Sequence, residues 1–220
     1  MECPDRAFKG TFSTARPDHP DRFGRSPHIA TPWGVYGVST IAESQEGTVS
    51  VHTTVDTPVG PLTVVGAETG LVGLYFDEHR HLPDPTGFGP ISRDGVGLSD
   101  FAEVERQLGE YFDGERRSFD LPLAPRGNDF QVRVWDLLRD IPFGETRRYG
   151  QLATALGGVG LARAVGAANG LNPLSIVVPC HRVVGAGGAL VGYAGGLDRK
   201  RFLLGLEAGQ PSGPETGRLF

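Results

Sequence analysis

The sequence predicts an α/β N-terminal unit built on a small antiparallel sheet, followed by a helical C-terminal unit. Three observations lead there. Residues 48–76 alternate apolar and polar side chains in short runs broken by PVGP and ETG. Residues 100–112 repeat apolar side chains at helical spacing. Beyond residue 126 the apolar period stays helical, and two short helices flank a glycine turn.

In chain order, VSVHTTVDTP and LTVVGA each alternate, and ETG before LVGLYFD marks a hairpin at 68–70. Residues 77–98 read as a Pro/Gly-rich loop. Its His79 and His81 form an H-x-H pair that a charged loop more often leaves in water than on a metal. In the helix at 100–112, Asp100 and Glu103 resemble a capping box. There Phe101, Val104, Leu108 and Tyr111 share a face, and Gly114 stops the helix. Residues 115–126 read as an extended segment and linker. NDFQVRVWDLLRDIP carries an Asn128/Asp129 cap, an apolar face of Phe130, Val134, Leu137 and Ile141, and a stop at Pro142. Helices at 149–156 and 161–170 around GGVG fit a helix-turn-helix, a pattern any αα-hairpin shares. In IVVPCHRVV, the β-branched run at 176–178 predicts a short buried strand ending at Pro179, which leaves Cys180 where the strand stops.

The domain boundaries that follow are 48–125 and 126–209. Residues 1–47 are polar, rich in Pro and Gly, and aperiodic, so they read as a disordered extension or an upstream start-site artefact. Residues 210–220 read as a flexible tail. No apolar run approaches the ~20 residues of a membrane span. No apolar signal core stands at the N-terminus. The two cysteines, Cys3 and Cys180, make no disulfide framework and fit a reducing cytoplasm. Cys3, His19 and His28 are too scattered to predict a metal site. No motif asks for a dimer, so a monomer is expected.

The net charge of −5 argues at first against nucleic acid. Its distribution argues otherwise. Residues 126–207 hold ten Arg/Lys against six Asp/Glu, and no acid occurs between Glu145 and Asp198. Arg147, Arg148, Arg163 and Arg182 fall in that acid-free stretch, which suits either a phosphate-facing surface or an uneven solvated one. Apart from Leu161, Arg163, Val165 and Asn169, LARAVGAANG is Ala and Gly, so its backbone can approach a neighbouring helix or a narrow DNA groove, with Arg163 as the one long side chain able to reach into the stack.

Cys180 stands next to His181 and Arg182. A thiol attacks as thiolate, and a free one ionises near pH ~8.5, so it needs a base or a positive neighbour. Adjacent side chains on an extended chain diverge, whereas a turn brings them into one pocket. Standing alone, a buried cysteine is more often inert filling than nucleophile.

PCHRVVGAGGALVGYAGGLDRKRFLLGLE, with FGETRRYGQLA and ARAVGAANGLNP upstream, resembles the O6-alkylguanine-DNA alkyltransferase (methylated-DNA–protein-cysteine methyltransferase) family. Order and spacing match from residue 143 onward, and DTPVGPL and the helix at 100–112 match more loosely. The resemblance implies a ribonuclease H-like N-terminal fold and a winged-helix C-terminal domain. It also implies stoichiometric repair: O6-alkylguanine is flipped out of double-stranded DNA and its alkyl group moves irreversibly to Cys180. No cofactor is implied, since the DNA is the donor, and O4-alkylthymine is left open as a second substrate.

By resemblance, Glu207 orients His181, which through a water activates Cys180. Asn172 braces the turn, and Tyr149 turns the nucleotide and protonates the departing guanine. Val183, Tyr193 and Ala194 line the base pocket, with backbone groups reading the base edge. Arg163 fills the vacated stack, and Ala162, Ala167, Asn169 and Gly170 face the minor groove. Three departures stand out. Ala194 occupies a position that is often serine, the N-terminal zinc ligands of some members are mostly missing, and residues 1–47 have no counterpart. A cysteine hydrolase or acyltransferase would need a separate histidine and asparagine that are not evident. A purely DNA-binding protein would keep its function without Cys180, and lesion binders that do not transfer lack that cysteine altogether.

Overall fold

The computed structural model describes residues 49–209; the extension expected at 1–47 and the tail expected at 210–220 lie outside the described residues. Strands β1 (Ser50–Val55), β2 (Leu62–Ala67) and β3 (Gly70–Phe76) pair antiparallel in that order, with the second turn at 68–69 as the ETG signal predicts. Val55, Leu62, Val64, Leu74 and Phe76 are buried in the core. Each such side chain contributes about 1.5–3 kcal/mol by leaving water.

β3 is not left as a bare edge. Leu123 bridges Leu71, and Leu174 bridges Leu74, both in parallel. Leu74 N–H donates to Pro173 O at 2.7 Å, and Ser175 N–H donates to Leu74 O at 3.1 Å. The segment that leads to Cys180 is thus hung on the sheet of the other half of the chain.

The segment at 77–98 has more structure than a loop reading predicts. It holds a 3₁₀ turn at Pro85–Phe88 capped by Asp84, a bridge from Ile91 to His52, and a short pairing of Gly95–Val96 with Ser99–Asp100. His79 corrects the expectation of a solvated pair. It is 7% exposed, against Tyr75 and Phe76, and burial lowers its pKa to about 4, while His81 is exposed.

Helix α1 (Phe101–Phe112) is capped by the Asp100 carboxylate, which accepts from Ala102 N–H and Glu103 N–H. Glu103 does not close the predicted box, because its carboxylate is drawn to Arg106 and Gln107. Gln107 in turn clamps both backbone groups of Asp120, which fixes the extended segment against α1.

Helix α2 (Asp129–Arg139) does close a capping box, between Asn128 and Gln131. Its inner face is rotated from the predicted one. Val134, Trp135 and Leu138 are buried, while Phe130 and Leu137 are only half-buried. Trp135 turns inward because its Nε1–H finds Ala168 O at 2.9 Å, a partner that a buried indole needs.

α3 (Tyr149–Ala155) and α4 (Ala162–Gly170) form the helix-turn-helix around a 3₁₀ turn at Val159–Leu161, and α5 (Leu197–Glu207) completes the unit. Arg147–Arg148 pairs in parallel with Val183–Val184, which sets the start of α3 beside the chain leaving Cys180. One core runs from Val51 to Leu203 through both halves. Among the described residues, no helix is long and apolar enough to cross a membrane.

Candidate active site

The approach to Cys180 is not the strand that three β-branched residues suggest. Pairing with the sheet ends at the Ser175 N–H, and 175–178 fold into tight turns in which Val178 N–H donates to Leu174 O and Cys180 N–H to Val178 O, both at 2.8 Å. Ile176 takes a left-handed φ of 70°, a conformation costly for a β-branched residue. Full burial of its side chain holds it there. The apolar run signals burial, and burial does not require a ladder.

Asn172 supplies what a ladder would have supplied. Its Nδ2 donates to Val178 O at 2.8 Å and its Oδ1 accepts from Leu174 N–H at 3.0 Å, tying the turn from inside. Pro179 then starts a single 3₁₀ turn, Cys180–Arg182. At three residues per turn, Cys180, His181 and Arg182 fan apart rather than alternate. All three are buried.

Glu207, the last residue of α5, is the hub beneath them, and its side chain has no exposed surface. His181 Nε2 lies 2.8 Å from Glu207 Oε1. Arg182 Nε donates to Oε2 at 2.9 Å, and its terminal nitrogen donates to Oε1 at 3.0 Å. Gly144 N–H donates to Oε2, and Tyr111 Oη donates to Oε1 at 2.7 Å. Burial by itself would raise the Glu207 carboxyl, but the hydrogen bonds and charges of His181 and Arg182 hold it at about 2.

The tautomer of His181 follows. A carboxylate only accepts, so the proton sits on Nε2 and Nδ1 carries the lone pair. Nδ1 is buried with no hydrogen-bond partner among the described residues. Burial lowers the His181 pKa against the pull of Glu207, so the ring rests neutral with its basic nitrogen available.

Burial pushes the Cys180 thiol up, while the Asn172 side chain, the charge of Lys200 and the backbone N–H groups of Cys180 and His181 pull it down. The site therefore holds a resting thiol beside a neutral base. Lys200 is completely buried, donates from Nζ to Val183 O at 2.6 Å and Val191 O at 2.8 Å, and is lowered to about 8 by burial.

Around this centre stand the remaining predicted residues. Tyr149 opens α3 half-buried, and a Cβ on Gly192 would stand 3.9 Å from its hydroxyl. Burial first, and Cys180 second, raise its pKa. Tyr193 is buried edge-on to Phe76, with its hydroxyl unpartnered among the described residues. Val183 and Ala194 are buried too, and Ala194 O accepts from Arg80 N–H at 2.9 Å. On α4, Arg163 and Ala167 are exposed and Ala162 and Gly170 half-buried.

Two sequence expectations need correction. Arg182 does not face phosphate: it is 6% exposed and spends its guanidinium on Glu207 and Ile141 O, because a buried carboxylate needs a buried cation. Asn169 is 3% exposed, on the inner side of α4 with Val165 and Ala168, because four-residue spacing from Val165 carries it to the core face. Sequence reasoning also missed Tyr111 and Lys200. Helical periodicity counts Tyr111 as apolar filling, and nothing in its pattern reveals the hydroxyl's partner 96 positions away.

Residues 50–125 match the ribonuclease-like domain of 6-O-methylguanine DNA methyltransferase, and residues 129–209 match its DNA binding domain. The chain belongs to the 6-O-methylguanine DNA methyltransferase family. The methylated-DNA–protein-cysteine methyltransferase of Mycolicibacterium paratuberculosis is 51% identical over 156 residues, 71% of this chain and 91% of the relative. That of Methanosarcina acetivorans is 46% identical over 155 residues, 69% of this chain and 94% of the relative. The crystal structure of Mycobacterium tuberculosis OGT in complex with DNA superposes with a TM-score of 0.66 at 48% identity, covering 73% of this chain and 94% of that one. In this family member the DNA-binding half carries Cys180, His181 and Glu207, and the ribonuclease-like half delivers Tyr111 to the same carboxylate.

Proposed function

We propose that this protein repairs O6-alkylguanine in double-stranded DNA by moving the alkyl group to Cys180, once per molecule. The single observation that carries the reading is the buried series Glu207–His181 beside a buried thiol, with His181 Nδ1 left as the base. Nδ1 takes the thiol proton, through a water in the family's scheme. The thiolate Sγ attacks the alkyl carbon, an S–C bond forms, and the C–O6 bond breaks with its electron pair on the guanine. Tyr149 gives its proton to the leaving guanine, and the proton taken up by His181 Nδ1 passes through water to the tyrosinate, so that both groups end neutral. The product is a thioether with no bond that water cleaves readily, so Cys180 is spent. No cofactor enters, because the DNA is the donor.

The base cannot be reached inside a duplex, so binding must offset its extrusion. The Ala/Gly side of α4, with Ala167 exposed and Ala162 and Gly170 half-buried, suits close approach to the minor groove, and Arg163 is the side chain long enough to fill the vacated stack. Val183, Tyr193 and Ala194 shape the pocket for the flipped base. Asn172 holds the turn that aims Cys180. The protein acts as a monomer in the reducing cytoplasm, where the thiol persists.

The test is intact and peptide mass after mixing with a duplex that carries one O6-methylguanine. One methyl per molecule, on the peptide containing Cys180, is the expected result. DNA binding without mass gain would replace transfer by lesion recognition alone.

A further inference from the structure

The Tyr111 ring packs among Phe112, Phe119 and Phe143, which a phenylalanine would do equally well. Its hydroxyl instead donates to the buried Glu207 Oε1 at 2.7 Å, the oxygen that also holds His181. We propose that Tyr111, reaching in from the ribonuclease-like half, is a positioning residue for alkyl transfer: its hydroxyl keeps His181 neutral and Nε2-protonated, and so keeps Nδ1 available to the thiol. The proposal rests on the transfer reading above.

Each donor on Oε1 draws charge from that oxygen and weakens its pull on the imidazole proton. Burial first, then Glu207, raises the Tyr111 hydroxyl well above its usual range, so it remains a donor throughout the working pH range. The charges that face the pair come from several elements. Lys200 and Glu207 itself come from α5, Arg182 and Cys180 flank His181 in the chain, and Tyr111 comes from α1. Gly144 N–H adds its dipole from the loop after α2. Of these, Tyr111 alone belongs to the ribonuclease-like half. Loss of its hydroxyl leaves Oε1 more basic, favours imidazolium, and frees one constraint on the carboxylate plane.

The experiment uses the full chain with Tyr111→Phe, read by NMR titration of His181 and by single-turnover transfer from an O6-methylguanine duplex across pH. Removing one charge-assisted hydrogen bond should slow transfer at neutral pH about tenfold, with duplex affinity unchanged. The acid limb of the rate and the His181 titration should both move to higher pH. Fluorotyrosine incorporated at position 111, a stronger donor, should move both to lower pH, and it decides the matter if Tyr111→Phe does not fold. Leu108→Ala, a core change on the same helix at a side chain that cannot hydrogen-bond to Glu207, should cost stability and leave both midpoints where they are. A His181 titration unmoved by either change at Tyr111 overturns the proposal. That readout holds even if the wild type transfers nothing, an outcome that would overturn the transfer reading by itself.

Discussion

His181 Nε2 and Glu207 Oε1 lie 2.8 Å apart with neither side chain exposed, although 26 positions separate them in the chain. The pair is built by the 3₁₀ turn that starts at Cys180 and by the last residue of α5. Its burial makes its protonation state a matter of both reactivity and stability.

Stability should fall in two stages as pH drops. His181 has a folded pKa below its ordinary 6.5, so the unfolded chain takes up its proton first, and stability is lost as pH falls through about 6.5. Glu207 is also depressed, from 4.5 to about 2, so its contribution is present above 4.5 and drains away toward 2. Urea midpoints measured from pH 8 to pH 3 should decline throughout, and a flat profile would contradict the buried ionic hub.

Cys180→Ala should leave duplex binding intact and abolish alkyl gain. A variant that still acquires the alkyl group would move the acceptor elsewhere in the chain. Band-shift titration together with intact mass reads both quantities on one sample.

Arg163→Ala should slow repair of duplex lesions by about ten- to a hundredfold, because an unfilled stack must be held open at a cost of a few kcal/mol. Reaction with free O6-alkylguanine needs no plug and should stay near the wild-type rate. Equal losses on the two substrates would remove Arg163 from that role.

Gly195→Ala tests how the loop carrying Tyr193 meets the sheet. A Cβ there would stand 2.3 Å from Phe76 Cδ2, and Phe76 packs edge-on against Tyr193. The clash should cost about 1–3 kcal/mol and displace Tyr193, the wall of the proposed base pocket. Thermal unfolding and the rate with free O6-alkylguanine should both fall. An unchanged rate would mean that Tyr193 holds its place without Phe76.

Several features were readable because their causes are local. The Asn128 cap needs only its own Gln131, and α1 needs only its apolar spacing and Asp100. The pairing of β2 with β3 follows from alternation and a two-residue turn. The motif around Cys180 was legible as a family pattern, and Glu207 and Asn172 were carried with it. Other readings failed where a side chain's environment comes from distant chain. The run at 176–178 reads as strand, but only a partner decides between a strand and a buried turn, and pairing with β3 ends at Ser175. Arg182 reads as a surface cation until a buried carboxylate from α5 claims it.

The sequence by itself determined the two-part α/β-then-helical order, the capped helices and the family, and through the family pattern it named Cys180 and His181 as candidate nucleophile and base. The tertiary structure decided which groups share Glu207: Tyr111 from one half of the chain, and His181 and Arg182 from the other. Such a hub leaves no periodic trace, because it exists only when one buried carboxylate, shut off from water, must find all of its donors within the fold.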